Sequence, residues 1–121
     1  MSSRFLFFLI FLYSLLSNAE IINNGIQRQV FENGNPKYEI SYKNKLKHGK
    51  ETFWYESGSI KMQSHFVNGI EHGFWKQWHK NGQSKSNVEF VDGIKEGVEI
   101  IWNQDGSIRS QDFYKNGKVV K

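Results

Sequence analysis

The stretch Trp54–Gln77, WYESGSIKMQSHFVNGIEHGFWKQ, decides the fold, because its pattern returns every 24 residues. Three glycine series keep that step: Gly34, Gly58, Gly82 and Gly106; Gly69, Gly93 and Gly117, with Lys45 at the earliest position; and Gly49, Gly73 and Gly97. A tryptophan recurs at Trp54, Trp78 and Trp102, and an aromatic at Tyr42, Phe66, Phe90 and Tyr114. A basic residue recurs at Lys37, Lys61, Lys85 and Arg109. Self-similarity at a fixed period of this size marks a repeat architecture, in which each unit buries its apolar surface against its neighbours.

Two turn signals cut each unit. Ser57-Gly58 is matched by Asn33-Gly34, Asn81-Gly82 and Asp105-Gly106, and such pairs between apolar runs tolerate the positive φ of a hairpin turn. The second signal, Asn68 to Gly73, is matched by Asp92 to Gly97; its two glycines predict a longer bend between units. The intervening segments have the length and the β-branched and aromatic content of strands. Strands are expected near 28–32, 37–43, 50–55, 60–67, 74–79, 84–91, 98–103 and 108–115, with a short one at 118–121. The lone proline, Pro36, starts a strand, where a missing donor is tolerated. The expectation is an all-β antiparallel meander of about four hairpin repeats, with no helix after the leader.

A three-residue loop with a left-handed glycine at its third position pairs Trp54 with Ile60 and Thr52 with Met62. That register collects Trp54, Ile60, Met62 and Phe66 on one face and Lys61, Gln63 and His65 on the other. It predicts one apolar stripe through Tyr42, Trp54, Phe66, Trp78, Phe90, Trp102 and Tyr114, read chiefly as packing.

The first nineteen residues read as a leader. Met1–Arg4 is a short basic region, Phe5–Leu16 an apolar run, and Ser17-Asn18-Ala19 a small-residue cleavage site, the layout of a secretory signal peptide cut after Ala19. The apolar run is shorter than the roughly 20 residues a permanent span needs; an uncleaved anchor is the alternative. The repeat domain then occupies 20–121, and the protein is expected to be secreted or periplasmic. Loss of Arg4 takes the formal charge from +4 to +3, short of the clustered charge of a dedicated nucleic-acid binder. No cysteine is present, so packing and strand hydrogen bonds must hold the domain.

The pattern Gly58, Lys61, Phe66, Gly69, Gly73, Trp75, repeated as Gly82, Lys85, Phe90, Gly93, Gly97, resembles the variant MORN (membrane occupation and recognition nexus) repeat. Glu99 stands where that family often has tryptophan, and Lys45 where it has glycine. The resemblance extends to bacterial YwqK-type antitoxins, which neutralise a toxin by binding it. It implies β-hairpin repeats and a non-enzymatic binding role; an exported member would act as an envelope immunity protein.

Catalytic chemistry finds little support. His48, His72 and Glu96 share one column, but one unit separates successive members by two strands, about 10 Å, too far to share a metal ion. Glu89, Asp92, Glu96 and Glu99 cluster at one bend and read as a solvated turn. No phosphate-cradling loop or nucleophile motif occurs, so neither a cofactor nor a metal is expected. The row Lys37, Lys61, Lys85 and Arg109 is the candidate binding feature, with Tyr55 and Trp75 as aromatic contacts. The expected partner is a protein, such as a toxin or envelope component, met through a sheet face or an open edge strand. Anionic lipid is the alternative, and nucleic acid is not expected.

Overall fold

The computed structural model describes residues 22–121; the leader expected at 1–19 lies outside them. Among the described residues every regular element is a strand. They are β1 (Gly25–Val30), β2 (Pro36–Lys43), β3 (Leu46–Trp54), β4 (Ile60–Val67), β5 (Ile70–Glu71), β6 (Gly73–Trp78), β7 (Ser84–Val91), β8 (Ile94–Trp102), β9 (Ile108–Lys115) and β10 (Lys118–Val119). Neighbours in sequence pair antiparallel in a single sheet, and β5 and β6 lie end to end against β4. This is the all-β meander of hairpin repeats expected from the period.

Two kinds of turn alternate along it. At the wide one, Gly58 N–H donates to the Tyr55 carbonyl at 2.9 Å and Tyr55 N–H to the Ser59 carbonyl at 2.8 Å. Gly58 takes φ 92°, closing a three-residue loop with its left-handed residue third, as expected. The other turn is tighter than the bend expected over Asn68–Gly73. Asn68 and Gly69, at φ 49° and 82°, make a two-residue turn of the type whose twist matches the flanking strands. The strand resumes at Ile70, and Gly73 bends it from within the ladder. Hence β3 and β8 begin at Leu46 and Ile94, ahead of the expected 50 and 98. Asn44-Lys45 makes the same tight turn with φ 51° and 66°, so a lysine occupies a conformation that L-residues resist.

Trp54 pairs with Ile60 as expected, but the next pairs are Phe53 with Met62 and Thr52 with Gln63. The expected Thr52–Met62 pairing is therefore wrong, because Lys61 forms a bulge that inserts one residue into the ladder. Cross-strand partners share a face, so Tyr38, Phe53, Met62, Gln77, Ser86, Ile101 and Ser110 lie on one face, here the front. Phe66 opposite Gly49, Phe90 opposite Gly73 and Tyr114 opposite Gly97 belong to the same face. Alternation turns Trp54, Trp78 and Trp102 to the back. The single aromatic stripe is thus divided between two faces, as the inserted residue requires.

Burial is thin. Ile40, Val88, Phe90, Glu51, Ser64 and Thr52 are buried, and among the described residues no side chain is wholly enclosed. A one-layer sheet cannot do better, so the units are stitched through their turns. Gly69 N–H donates to the Lys47 carbonyl, Gly93 N–H to Glu71 and Gly117 N–H to Lys95, at 2.7, 2.8 and 3.0 Å, while Lys45 N–H reaches Asn23 at 2.8 Å. At the wide turns Asn33 and Asn81 side-chain amides donate to the carbonyls of Glu56 and Gln104 in the next unit.

The tight-turn glycines are held by space as well as by φ. A Cβ on Gly93 would stand 3.2 Å from Ile70 Cγ2, whereas one on Gly82 meets nothing within 4 Å. Gly93→Ala should therefore cost about 2 kcal/mol and Gly82→Ala about 1 kcal/mol in urea unfolding, the difference being the packing term. Lys45→Gly should stabilise the protein by about 1 kcal/mol by relieving the left-handed lysine. Equal losses for the two alanine variants, or no gain from Lys45→Gly, would contradict this account.

Candidate functional site

The bulges position the basic row. Lys37, Lys61, Lys85 and Arg109 are each the extra residue in the hairpin ladder, beside the shifts at Val30, Trp54, Trp78 and Trp102. All four side chains are exposed, and none joins an ion pair among the described residues. Lys37 Nζ stands over the Phe31 ring at 5.7 Å and Lys61 Nζ over Tyr55 at 5.8 Å. In the next two units His79 and Asn103 replace those aromatics, leaving Lys85 and Arg109 without such a ring.

Two hollows run along the front between these cations. One, of about 210 Å³, is lined by Phe53, Tyr55, Lys61, Met62, Gln77, Trp78 and Lys85. The next, of about 370 Å³, shares Gln77 and Lys85 and adds Trp75, Val88, Lys95, Glu99, Ile101 and Arg109 among its walls. Tyr55 and Trp75 are both half-buried rather than freely exposed. Tyr55 Oη donates to the Trp78 carbonyl at 2.7 Å, so it ties two units together as well as walling the first hollow. Trp75 packs on Phe90 with ring centroids 5.6 Å apart, and its indole N–H is buried with no hydrogen-bond partner. A buried donor left unpaired costs about 1–3 kcal/mol.

The front face also carries ion pairs that the single-unit columns do not show. Lys47 Nζ donates to Glu51 Oε1 at 2.5 Å and stands 4.8 Å from the Phe66 ring centroid; Ser64 Oγ donates to the other carboxylate oxygen at 2.9 Å. Two units on, Lys95 Nζ donates to Glu99 at 2.8 Å and stands 4.9 Å from the Tyr114 ring centroid. Their trace in the sequence is a Lys-x-x-x-Glu spacing that recurs at every second unit, outside the single-unit columns. The hydrogen bond to Glu99 raises Lys95 above 10.5, and hydrogen bonding to the same carboxylate raises Tyr114 above 10.0.

The histidine column is structural. His48 Nδ1 accepts from Asn68 N–H at 3.2 Å, His72 Nδ1 from Asp92 N–H at 3.4 Å, and Glu96 Oε2 from Asn116 N–H at 2.8 Å. Each caps the tight turn of the following unit. The acidic residues do not act together: Glu99 is on the front with Lys95, while Glu96 caps a turn. Among the described residues no three potential metal ligands converge. On the back, Lys50, Gln63, His65, His72, Phe74 and Lys76 surround a more open depression.

Groups whose folded pKa is raised lend stability that is present at lower pH and lost as pH rises through the folded value. Glu99→Gln should bring Tyr114 and Lys95 back toward 10.0 and 10.5 and reduce the loss of stability above pH 10. A Tyr114 titration followed by NMR checks this; an unmoved midpoint would show that Glu99 does not govern it.

The MORN repeat variant pattern matches residues 23–44, 47–68 and 95–120, more than half of the chain. Residues 69–94, between the matched stretches, form the same tight turn, bulged strand and hairpin. No curated protein matches the chain. With the pattern matched over more than half of its length, the chain belongs to the MORN repeat variant family.

Proposed function

We propose that the protein is a non-catalytic recognition module that binds a partner protein through the front of the sheet. Repeats of this family often mediate protein or membrane binding. The observation that carries the protein reading is the pairing of unneutralised cations with apolar walls: Lys61, Lys85 and Arg109 flank hollows formed by Phe53, Tyr55, Met62, Trp75 and Ile101. Protein interfaces concentrate aromatic, methionine and arginine contacts in this way.

The proposal extends to place and role. The leader-like sequence of residues 1–19 supports a secreted or periplasmic protein, and the likeness to antitoxins supports an immunity role against a toxin or envelope component. A second reading, binding to an anionic lipid surface, is favoured by the row Lys37, Lys61, Lys85 and Arg109, each such charge contributing about 1 kcal/mol near a membrane.

Affinity capture from envelope and secreted fractions separates the two, with the parent and a Lys61→Glu, Lys85→Glu double variant as baits. The expected result is a protein held by the parent at high salt and lost from the variant. Anionic lipid co-purifying only at low salt, with no protein retained, would overturn the protein reading in favour of the membrane one.

A further inference from the structure

The unit spanning residues 69–94 breaks the front-face pattern of its neighbours. Trp75 stands at the repeat position of Glu51 and Glu99, Val88 at that of Ser64, and Glu71 at that of Lys47 and Lys95. In the neighbours, a carboxylate on the front answers the donors around it: Glu51 accepts from Lys47 and Ser64, and Glu99 accepts from Lys95. At the position of that carboxylate the unit carries Trp75, and its own front-face carboxylate, Glu71, stands opposite Phe66 at the position of the neighbours' lysines and is not a wall of the hollow. Around it stand three unanswered donors, the buried Trp75 indole N–H and the exposed Lys85 and Arg109. The remaining polar walls are committed, since Ser86 Oγ donates to Gln77 Oε1 at 3.3 Å and Glu99 holds Lys95.

We propose that the hollow takes a carboxylate from an extended acidic segment of the partner protein, held between Lys85 and Arg109 against Trp75. The guanidinium accepts a carboxylate with two parallel hydrogen bonds, and Val88 and Ile101 in the walls receive the aliphatic stem. The carboxylate that the position of Trp75 lacks is thus supplied from outside. This inference rests on the protein-binding reading above and deepens it.

Spacing narrows the segment further. Lys61 lies on β4 and Lys85 on β7, with β6 between them, so the basic residues recur at about 10 Å, two strand spacings. In a polyproline II segment, side chains three residues apart share one side and are separated by about 9 Å. An acidic residue at every third position therefore keeps step with the row as the segment crosses the strands, one carboxylate lying between Lys61 and Lys85 and the next between Lys85 and Arg109.

The test titrates the isotope-labelled protein with a capped Glu-Pro-Pro-Glu-Pro-Pro-Glu peptide and follows the indole N–H signals. The Trp75 signal is identified by its loss in Trp75→Phe, a change that keeps a ring against Phe90. The expected result is a saturable shift of that signal, weakened by salt. Lys85→Ala and Arg109→Ala should each weaken binding at least about tenfold, the scale of a lost charge-assisted contact, and Lys50→Ala on the back should leave it unchanged. The exposed lysine and arginine variants are expected to melt like the parent, so their effect is not one of folding. A Trp75 signal that stays still at saturation, or one moved equally by the glutamine version of the peptide, would overturn the proposal. So would phosphatidylserine vesicles that move it where the acidic peptide does not. A captured protein that still binds the Lys85→Ala, Arg109→Ala double variant would eliminate this hollow while leaving the recognition-module reading intact.

Discussion

The structure depends on one backbone hydrogen bond, repeated at each tight turn. The N–H of the second, left-handed residue points out of its own hairpin and meets a carbonyl of the preceding unit: Lys45 to Asn23, Gly69 to Lys47, Gly93 to Glu71, Gly117 to Lys95. Positive φ is what aims the donor, so the turn is at once the end of a hairpin and the joint between units. The side chain following the glycine completes the joint, because Ile70 and Ile94 pack where a Cβ on Gly93 or Gly117 would stand. A sheet with no second layer has few other means of fixing one unit to the next. The caps from His48, His72 and Glu96 reinforce the same joint from one residue away.

That joint also determines where chemistry can be displayed. Bulges at Lys37, Lys61, Lys85 and Arg109 present a cation at the same place in every hairpin, and the rigid succession of units sets them in a row. Within this frame, substitutions at the front positions change local character without changing the backbone. Glu51 and Glu99 close their surroundings with ion pairs, whereas Trp75, in the unit between, brings no carboxylate and keeps its indole N–H buried and unpaired. A regular scaffold carrying one irregular front gives a repeat protein a physical basis for selectivity, since recognition needs only one unit to differ.

Much of this was legible in the residues. Period, antiparallel order and the wide turns follow from the glycine columns and from Asn-Gly and Asp-Gly chemistry. What escaped was register. Lys61 looks like an ordinary solvent-facing strand residue, and nothing in its side chain announces that it occupies a bulge; yet that one inserted residue exchanges the faces of Trp54 and Phe53. The length of the tight turn is obscured for a related reason: Gly73 looks like a turn residue but opens strand β6, paired with Phe90. The basic row was visible as a column, while the hollows it borders depend on three-dimensional neighbours such as Gln77, Ile101 and Val88. The Lys47–Glu51 and Lys95–Glu99 pairs recur only at every second unit, and so leave no column at the single-unit period.

The absence of any wholly enclosed side chain among the described residues has a dynamic consequence. With no common core to melt at once, the free energy of opening is graded along the sheet, each hairpin being protected by those flanking it. Strands β1 and β10 should fray most readily and exchange their amide hydrogens fastest, and protection should rise inward. The hairpin of Trp75 and Lys85 has neighbours on both sides, so the least typical unit sits where breathing is most strongly damped. A surface kept in one shape by its position in the series loses less conformational entropy on meeting a partner.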